Sequence, residues 1–172
     1  MDKRWIIIII ILIVGFSSLY FIVNDSMRLG KAIDTIDNVI ITLPTDFKIG
    51  EKTPTSAELM DRDADKKIKI ELIKQKNKAS VLMKNKTKTL KSEGDVADVK
   101  NYTQKISNIT TYSISYKNVT TETPVNYSMN FINKLNKTFI ITTCDYDNDT
   151  AQLKDLTYVI DTIRLDYKIK EK

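Results

Sequence analysis

Lys67-Ile-Lys-Ile-Glu-Leu72 decides the fold, because apolar and charged residues alternate along its whole length. Side chains two residues apart lie on the same face of a strand, so Ile68, Ile70 and Leu72 share one face and the charged residues share the other. One buried and one solvated face are typical of a strand in an antiparallel sheet. Residues 57–61 are the predicted hairpin partner, across the turn Arg62-Asp-Ala-Asp-Lys66.

Three further stretches continue the strand pattern downstream: Tyr112-Ser-Ile-Ser-Tyr116, Tyr127-Ser-Met-Asn-Phe131 and Thr138-Phe-Ile-Ile-Thr-Thr-Cys144. The first two alternate large apolar or aromatic residues with small polar ones, so each is expected to bury one face. Residues 133–136 supply a short hairpin connection between the last two strands. The pattern therefore predicts an antiparallel meander.

Helical spacing replaces strand alternation near the end of the chain. Apolar residues recur there three or four positions apart, at 153, 156, 159, 160 and 163. Asp149 is the predicted N-cap of this helix, with Gln152 as the reciprocal member of a capping box. A second helix is predicted over residues 79–90.

Together these elements predict an α+β fold, with an antiparallel sheet of five to six strands. One face of the sheet is expected to be solvated and the other covered by one or two helices. An early strand over 39–43 ends at Pro44, which has no N–H to donate to a sheet. The predicted core residues are Ile68, Ile70, Leu72, Tyr127, Met129, Phe131, Leu156, Ile160 and Ile163.

The strand end Leu43-Pro44-Thr-Asp-Phe47, the hairpin after it, the aromatic-rich meander and the closing helix resemble the PsbP/Mog1-like α/β sandwich. The resemblance covers about residues 38–165. The chain also resembles the small, single-span, Lys/Asn/Ile-rich envelope proteins of methanogenic archaea that carry such domains. Proteins of this kind look like adaptors and assembly factors, so the resemblance implies a binding role and assigns no functional residue.

An uninterrupted apolar run from Trp5 to Val23 predicts a transmembrane helix behind which the domain is anchored. The run carries no charge and as a helix spans about 28 Å, which matches the hydrocarbon core of a bilayer. A cleaved signal peptide is the competing interpretation, because Lys3 and Arg4 precede the run. The run exceeds a signal-peptide core in length and lacks a small-residue cleavage site, which favours an uncleaved signal-anchor.

Basic residues flank both ends of the apolar run and bear on its orientation. Lys3 and Arg4 are nearer to it than Arg28 and Lys31 and are joined by the α-amino group, which favours a cytoplasmic N-terminus. Residues 24–37 have helical spacing and are interpreted as a juxtamembrane connector. The resulting organisation is a cytoplasmic N-terminus at 1–4, a membrane span at 5–23, the connector at 24–37 and an extracytoplasmic α+β domain at 38–172.

Asparagine followed two residues later by Ser or Thr is unusually frequent in this chain. Eight of the asparagines begin such a glycosylation sequon. An alternative origin is that strand residues at i and i+2 share a face, so that an exposed strand rich in Asn and Thr creates sequons without any glycan. The candidate glycosylation sites are Asn85, Asn101, Asn108, Asn118, Asn126, Asn136 and Asn148, and the eighth sequon, at Asn24, directly follows the apolar run.

Composition excludes several classes of chemistry. The 172 residues contain no histidine, so catalytic triads and sites that need a histidine ligand are impossible. The single cysteine, Cys144, lies in an apolar stretch and is interpreted as a buried, inert thiol. A net charge of +5 is spread over many lysines among acidic residues, which is typical of a solvated surface. No nucleic-acid recognition motif accompanies it.

Two acidic clusters are the candidates for metal chemistry. Asp61, Asp63 and Asp65 have the alternating spacing of the first half of a calcium loop, but lack its glycine and closing glutamate. The same spacing recurs at 145, 147 and 149. A hairpin turn explains the first cluster and a helix start the second, since Asp favours both positions.

The sequence therefore predicts a non-catalytic binding or assembly module of the cell envelope, without a cofactor. Its expected partners are the lipid bilayer, through Trp5–Val23, and envelope proteins or an anionic wall polymer that lysines 74–91 could meet. Nucleic acid is not an expected partner. The alternative function is a hydrolase or calcium-dependent activity built on either Asp cluster.

Overall fold

The structure, a computed structural model, describes residues 32–36, 39–44, 46–63, 65–73, 78–120, 122–144 and 149–165. The predicted membrane span and the sequon at Asn24 lie outside these residues. None of the helices within the described ranges is both long and apolar enough to cross a bilayer.

The described residues form ten strands and two helices, and most of the strands belong to one antiparallel sheet. The large sheet has seven strands in the order β3-β4-β5-β9-β8-β7-β6, and a small sheet has the order β1-β2-β10. In chain order the elements are β1 (Ala32–Ile36), β2 (Val39–Thr42), β3 (Lys48–Lys52), β4 (Ser56–Met60), β5 (Lys67–Ile73), α1 (Ala79–Ser92), β6 (Val96–Ile106), β7 (Ile109–Asn118), β8 (Val125–Lys134), β9 (Lys137–Cys144), α2 (Asp149–Thr162) and β10 (Arg164–Leu165).

Tight turns fix the register of the meander. Leu135 and Asn136 connect β8 to β9 with φ of 55° and 57°, and Ser107 and Asn108 connect β6 to β7 with φ of 50° and 62°. Two central residues with positive φ are characteristic of the type I′ turn, whose twist matches that of paired strands. The hairpin predicted at 133–136 is confirmed, and so is the pairing of β4 with β5.

One face of the large sheet packs against α2 and the small sheet. Ile68, Ile70 and Leu72 of β5 are buried there together with Leu59 of β4 and Phe139 of β9. Leu156 and Ile160 of α2 and Ile163, which directly follows the helix, lie in the same cluster, each at most 3% exposed. The faces predicted for β5 and for most of α2 are therefore confirmed.

The opposite face of the sheet packs against α1. Met83 and Leu90 of this helix are buried against Ile114, Met129 and Phe131 of β7 and β8. The expectation that one face would be solvated is wrong, because β8 is apolar on both sides. Its residue Ile132 belongs to the cluster under α2.

Each helix covers only half of the sheet face on which it packs. The half covered by α1 and the half covered by α2 lie toward opposite edges of the sheet. Beyond α1, the β4–β5 half of that face carries charged residues such as Lys69 and Glu71, whose side chains form a 3.1 Å ion pair. Beyond α2, the β6–β8 half of the other face carries short polar residues. That second uncovered half holds the candidate site.

Several other sequence expectations differ from the structure. Residues 32–36, assigned to a helical connector, form strand β1, which pairs with β2. Tyr127, predicted to be a core residue, is only half-buried, and its ring stacks on Tyr116 with the centroids 5.2 Å apart. Leu153 is 46% exposed, because it lies on the side of α2 that faces away from the core. Cys144 is half-buried and not fully enclosed.

Candidate functional site

An open groove of about 740 Å³ runs over the uncovered half of the sheet beside α2. We call it the polar trough. Its volume is within the usual range of ligand-binding sites. It is lined by Asp98, Lys100, Tyr102, Gln104, Ser115, Tyr116, Lys117, Asn126, Tyr127, Ser128, Asn130, Gln152, Leu153 and Leu156.

Strand register explains why this half of the face is polar. Tyr102 of β6 pairs with Ser113 of β7, which pairs with Asn130 of β8, so the three side chains lie in one row. The next row toward the mouth contains Lys100, Ser115 and Ser128 by the same pairing. The serines that alternate with aromatic and apolar residues in β7 and β8 therefore face the trough. They leave space where larger residues would fill it.

A hydrogen-bond network holds the floor of the trough. Ser113 Oγ donates to Asn130 Oδ1 at 2.8 Å, and Asn130 Nδ2 donates to Ser128 Oγ at 3.2 Å and to the carbonyl oxygen of Ile141 at 3.3 Å. Asn130 is fully buried. No buried side-chain nitrogen or oxygen within the described residues lacks a partner. A fully satisfied polar network of this kind makes a rigid floor.

Two long side chains from the edge strand β6 extend over this floor. The hydroxyl of Tyr102 shares a hydrogen bond of 3.4 Å with Ser128 Oγ, and Gln104 Nε2 donates to Ser113 Oγ at 3.5 Å. Tyr102 remains 39% exposed. Its ring is therefore fixed at the phenol end while part of the ring stays open to a ligand.

Three charged residues of the described part of the chain lie at the mouth of the trough. Asp98 lies in the irregular part of β6, where its φ is 56°, and its Oδ2 is 2.9 Å from Lys117 Nζ. The hydrogen bond and the charge of Lys117 lower the pKa of the Asp98 carboxyl. Lys100 forms no salt bridge with another described residue, so the mouth carries two ammonium groups against one carboxylate.

The wall on the α2 side is formed by the first two turns of that helix. Gln152 Nε2 donates a short hydrogen bond to Thr143 Oγ1 of β9. This contact ties the helix to the sheet, and the capping box predicted for Asp149 and Gln152 stays a prediction. Asp149 is the first residue of α2, and its side chain lies outside those described.

Asp61 and Asp63 of the first Asp cluster line a second cleft, of about 580 Å³, on the other side of α2. Asp61 begins the β4–β5 turn, where its Oδ1 accepts a 3.1 Å hydrogen bond from the Lys66 N–H. Asp63 and Asp65 are exposed. Within the described ranges no three Asp, Glu or Cys side chains are grouped so that they could hold a metal ion. Residues 145 and 147 of the second cluster lie outside those ranges.

The described sequon residues lie in different settings and do not form one site. Asn108 and Asn136 occupy the two type I′ turns, and Asn101 and Asn126 are exposed on strands. Asn85 lies in the middle of α1 and not at a helix end. Its sequon partner Thr87 is buried and donates to Met83 O and to Asn101 Oδ1.

Asn118, at the end of β7, has the most regular sequon geometry. Its Oδ1 accepts hydrogen bonds from both the N–H and the hydroxyl of Thr120, at 2.9 and 2.7 Å. Asn148 lies outside the described residues, and glycosylation of all these sites stays a prediction. Asn126 and Ser128 both line the trough, as the shared-face explanation of sequons requires.

The polar trough itself was not foreseen from the sequence. Strand β6 has polar residues on both faces and no clear alternation. The sequence pattern therefore did not predict that Lys100, Tyr102 and Gln104 share one face of a strand. A usable signal was present in the next two strands, where serine or asparagine occupies alternate positions: Ser113 and Ser115 in β7, and Asn126, Ser128 and Asn130 in β8. Small polar residues on the same face of two neighbouring strands indicate an uncovered, solvent-accessible part of a sheet.

Comparison with known proteins gives the fold alone. No family model and no curated protein matches this sequence. A crystal structure of a protein from Bacteroides thetaiotaomicron superposes with a TM-score of 0.59 at 15% identity, over 80% of this chain and 48% of that one. The chain thus spans about half the length of that protein.

The solution structure of cyanobacterial PsbP (CyanoP) from Synechocystis superposes with a TM-score of 0.51 at 13% identity, over 78% of this chain and 91% of that one. The PsbP-like fold expected from the sequence is therefore supported. LpqN, involved in cell envelope biogenesis of Mycobacterium tuberculosis, gives a TM-score of 0.48 at 12% identity, over 78% of this chain and 84% of that one. Nothing further follows from that weaker likeness.

Proposed function

We propose that this chain is a non-catalytic binding or assembly module of the cell envelope, anchored by Trp5–Val23 with its α+β domain outside the cytoplasm. Binding takes place in the polar trough. The observation that supports this role is the floor of the trough, where Ser113, Ser128 and Asn130 form a satisfied hydrogen-bond network on paired strands. A rigid surface with polar groups fixed in position is what ligand recognition requires.

The titratable groups of the trough favour binding over catalysis. Among the lining residues that the structure describes, Asp98 is the only one with a carboxylate. Its pKa is lowered by Lys117, which moves it away from the near-neutral value that suits a general base. Tyr116 has a pKa raised to about 12, chiefly by burial, which keeps its phenol protonated. Neither group is tuned toward proton transfer at neutral pH.

The membrane setting is supported by the sequence. The apolar run has the length of a bilayer core, and the sequons are frequent in the part of the chain placed outside. The likeness to cyanobacterial PsbP supports a PsbP/Mog1-like fold. A domain of this fold is what the sequence's resemblance to envelope proteins of methanogenic archaea implies. Adaptor and assembly roles are those that this resemblance implies.

Cysteine labelling on intact cells tests the orientation. Glu122 is exposed in the β7–β8 loop, so Glu122→Cys in a Cys144→Ser background offers one accessible thiol. A membrane-impermeant maleimide should label this variant before lysis, and the Cys144→Ser protein alone should stay unlabelled. Labelling that appears only after lysis would place the domain in the cytoplasm and overturn the proposal.

Photo-crosslinking tests whether the trough is the binding surface. A photo-reactive amino acid at position 126 lies in the trough, and the same group at position 81 lies on the exposed face of α1 as a matched control. Crosslinked species that form from position 126 and not from position 81 are the expected result. Equal crosslinking from both positions would show that the trough has no special part in binding.

A further inference from the structure

We propose that the polar trough binds an acidic polysaccharide, a polymer of hydroxylated sugar rings that carry carboxylates. This inference deepens the proposed function and rests on it for its biological setting, since such polymers occur outside the cytoplasm. It is carried by three properties of the trough: neutral polar groups along the sheet, partly exposed apolar surfaces beside them, and an excess of positive charge at the mouth.

Neutral polar side chains line the middle of the trough. Gln104, Ser115 and Asn126 carry amide and hydroxyl groups, which can both donate and accept hydrogen bonds. Sugar hydroxyls have the same dual capacity, so no partner needs to be ionised for a match. The network beneath, centred on Asn130, fixes the strands that present these groups.

Two partly exposed apolar surfaces complement the polar groups. Tyr102 is 39% exposed on the β6 side, and Leu153 is 46% exposed on the α2 side. A pyranose ring has an apolar face of C–H groups, which packs on an aromatic ring while its hydroxyls reach outward. An aromatic ring with a polar end suits such a mixed surface, and the phenol of Tyr102 is held by Ser128.

The charge at the mouth selects an acidic sugar. Lys100 and Lys117 outnumber Asp98, and Lys100 has no salt bridge within the described residues. Lys100 and Tyr102 are two residues apart on β6 and share a face, which separates their Cα atoms by about 7 Å. A sugar ring on Tyr102 would therefore bring a carboxylate of the same or the next unit within reach of Lys100.

Two other polymers fit the trough less well. A peptide would bring backbone N–H and C=O groups that pair best with the edge of a sheet, whereas the trough lies on its face. A nucleic acid presents a phosphate on every unit and is held by many cations, whereas the described lining of the trough contains two lysines. Both remain outcomes of the experiment.

The test uses calorimetric titration of the full chain in detergent with three matched probes. Oligogalacturonate supplies sugar rings with carboxylates, its methyl ester supplies the same rings without charge, and polyglutamate supplies carboxylates without rings. We expect binding of oligogalacturonate, with affinity that falls as salt is added. The ester is expected to bind at least about tenfold more weakly, a difference of about 1.4 kcal/mol.

Variants then assign the binding to the trough. Tyr102→Ala should weaken oligogalacturonate at least about tenfold, while Tyr102→Phe, which keeps the ring, should retain most of the affinity. Lys100→Gln with Lys117→Gln should remove the preference for the acid over its ester. Lys88→Gln, on the exposed face of α1, is the control and should change nothing. The melting temperature of each variant shows that it is folded.

Equal binding of polyglutamate would reduce the interaction to charge alone and would overturn the inference, as would binding that Tyr102→Ala leaves unchanged. Equal binding of the ester would make the ligand a neutral glycan and would also overturn it. These failures are distinct from failure of the proposed function. Crosslinking from position 126 to a protein or a nucleic acid would leave the binding module in place while refuting the polysaccharide.

Discussion

The ammonium nitrogen of Lys134, at the end of β8, donates a hydrogen bond to the carbonyl oxygen of Ile160 in the last turn of α2. It also donates to the carbonyl oxygen of Asp161 at 3.2 Å. A helix leaves its last four carbonyl groups without intrahelical partners, and a cation there is favoured by the helix dipole. Lys134 thus connects the end of α2 to the sheet. Burial lowers the pKa of its ammonium group, and Asp161 partly opposes this.

Replacing this cation is expected to weaken the docking of α2. Lys134→Met keeps the length of the chain but removes the charge and its hydrogen bonds, so the free energy of unfolding should fall by about 1–2 kcal/mol. Urea denaturation followed by circular dichroism measures the change. Lys88→Met on the exposed face of α1 should alter stability by no more than about 0.5 kcal/mol. Equal effects of the two substitutions would contradict the capping role.

Asn130 is expected to be essential to the floor of the trough. Asn130→Ala removes the acceptor of the Ser113 hydroxyl and a donor to the Ile141 carbonyl, and the loss of these buried hydrogen bonds should cost about 2–4 kcal/mol together. Thermal and urea unfolding measure the loss. Asn126→Ala, at an exposed position four residues earlier on the same strand, should cost no more than about 0.5 kcal/mol. A stable Asn130→Ala protein would show that the network adds little.

The core under α2 gives a direct test of the assigned faces. Ile70 is fully buried, and Ile70→Ala should lower the free energy of unfolding by about 2–5 kcal/mol, because it creates a cavity. Ile160→Ala should have a loss of similar size from the helix side. Val81 is 48% exposed on α1, so Val81→Ala serves as the control with a small effect. Near-zero changes at Ile70 and Ile160 would refute this core.

Alkaline pH should reveal the environment of Tyr116. Its pKa is raised to about 12, chiefly by burial and then by Tyr127, whereas in an unfolded chain it is about 10. A group that holds its proton more tightly when folded stabilises the fold below the unfolded pKa, and that contribution is lost as pH rises through the folded pKa. Stability should therefore fall between about pH 10 and 12, and less so in Tyr116→Phe. The measurement is the phenolate absorbance of the wild-type protein during a pH titration, from which the absorbance of Tyr116→Phe is subtracted. The midpoint of this difference should lie near the folded pKa of about 12. A midpoint equal to that measured in denaturant would argue against burial.

Calcium is expected to leave the protein unchanged. One carboxylate oxygen of Asp61 accepts a hydrogen bond from the Lys66 N–H in the β4–β5 turn, and the other two Asp residues of the cluster are exposed. A ligand that binds only the folded state raises its melting temperature. Scanning calorimetry with and without millimolar calcium should give the same transition. A rise of several degrees that is lost in the Asp61→Asn and Asp63→Asn double variant would restore the metal hypothesis.

The sequence predicts those elements whose signal is local. The alternation in β5, the hairpin at 133–136 and the helical period of α2 each depend on neighbours within a few positions, and each is present in the structure. Strand β1 was missed because Ile33 and Ile36 are three apart, which fits a helix as well as it fits an irregular strand with a register shift.

The candidate site depends on information that no local pattern contains. Tyr102, Ser113 and Asn130 come from three strands, and only their register places them in one row. That α1 covers the second face of the sheet likewise depends on tertiary packing and not on a local pattern. Apolar residues on both sides of β8 show that the strand is central, but not which helix lies on each side.

The pairing of β5 with β9 has a consequence for the order in which the protein is made. Leu72 pairs with Phe139, whereas every other neighbour in the large sheet is joined by a turn or loop to the strand beside it. During synthesis at about 5–20 residues per second, β5 therefore waits roughly 3 to 13 s for the about 65 residues that precede its partner. For that time Ile68, Ile70 and Leu72 are without the strand that completes their sheet. The charged residues on the opposite side of β5 disfavour pairing of this strand with other chains while the nascent chain is incomplete.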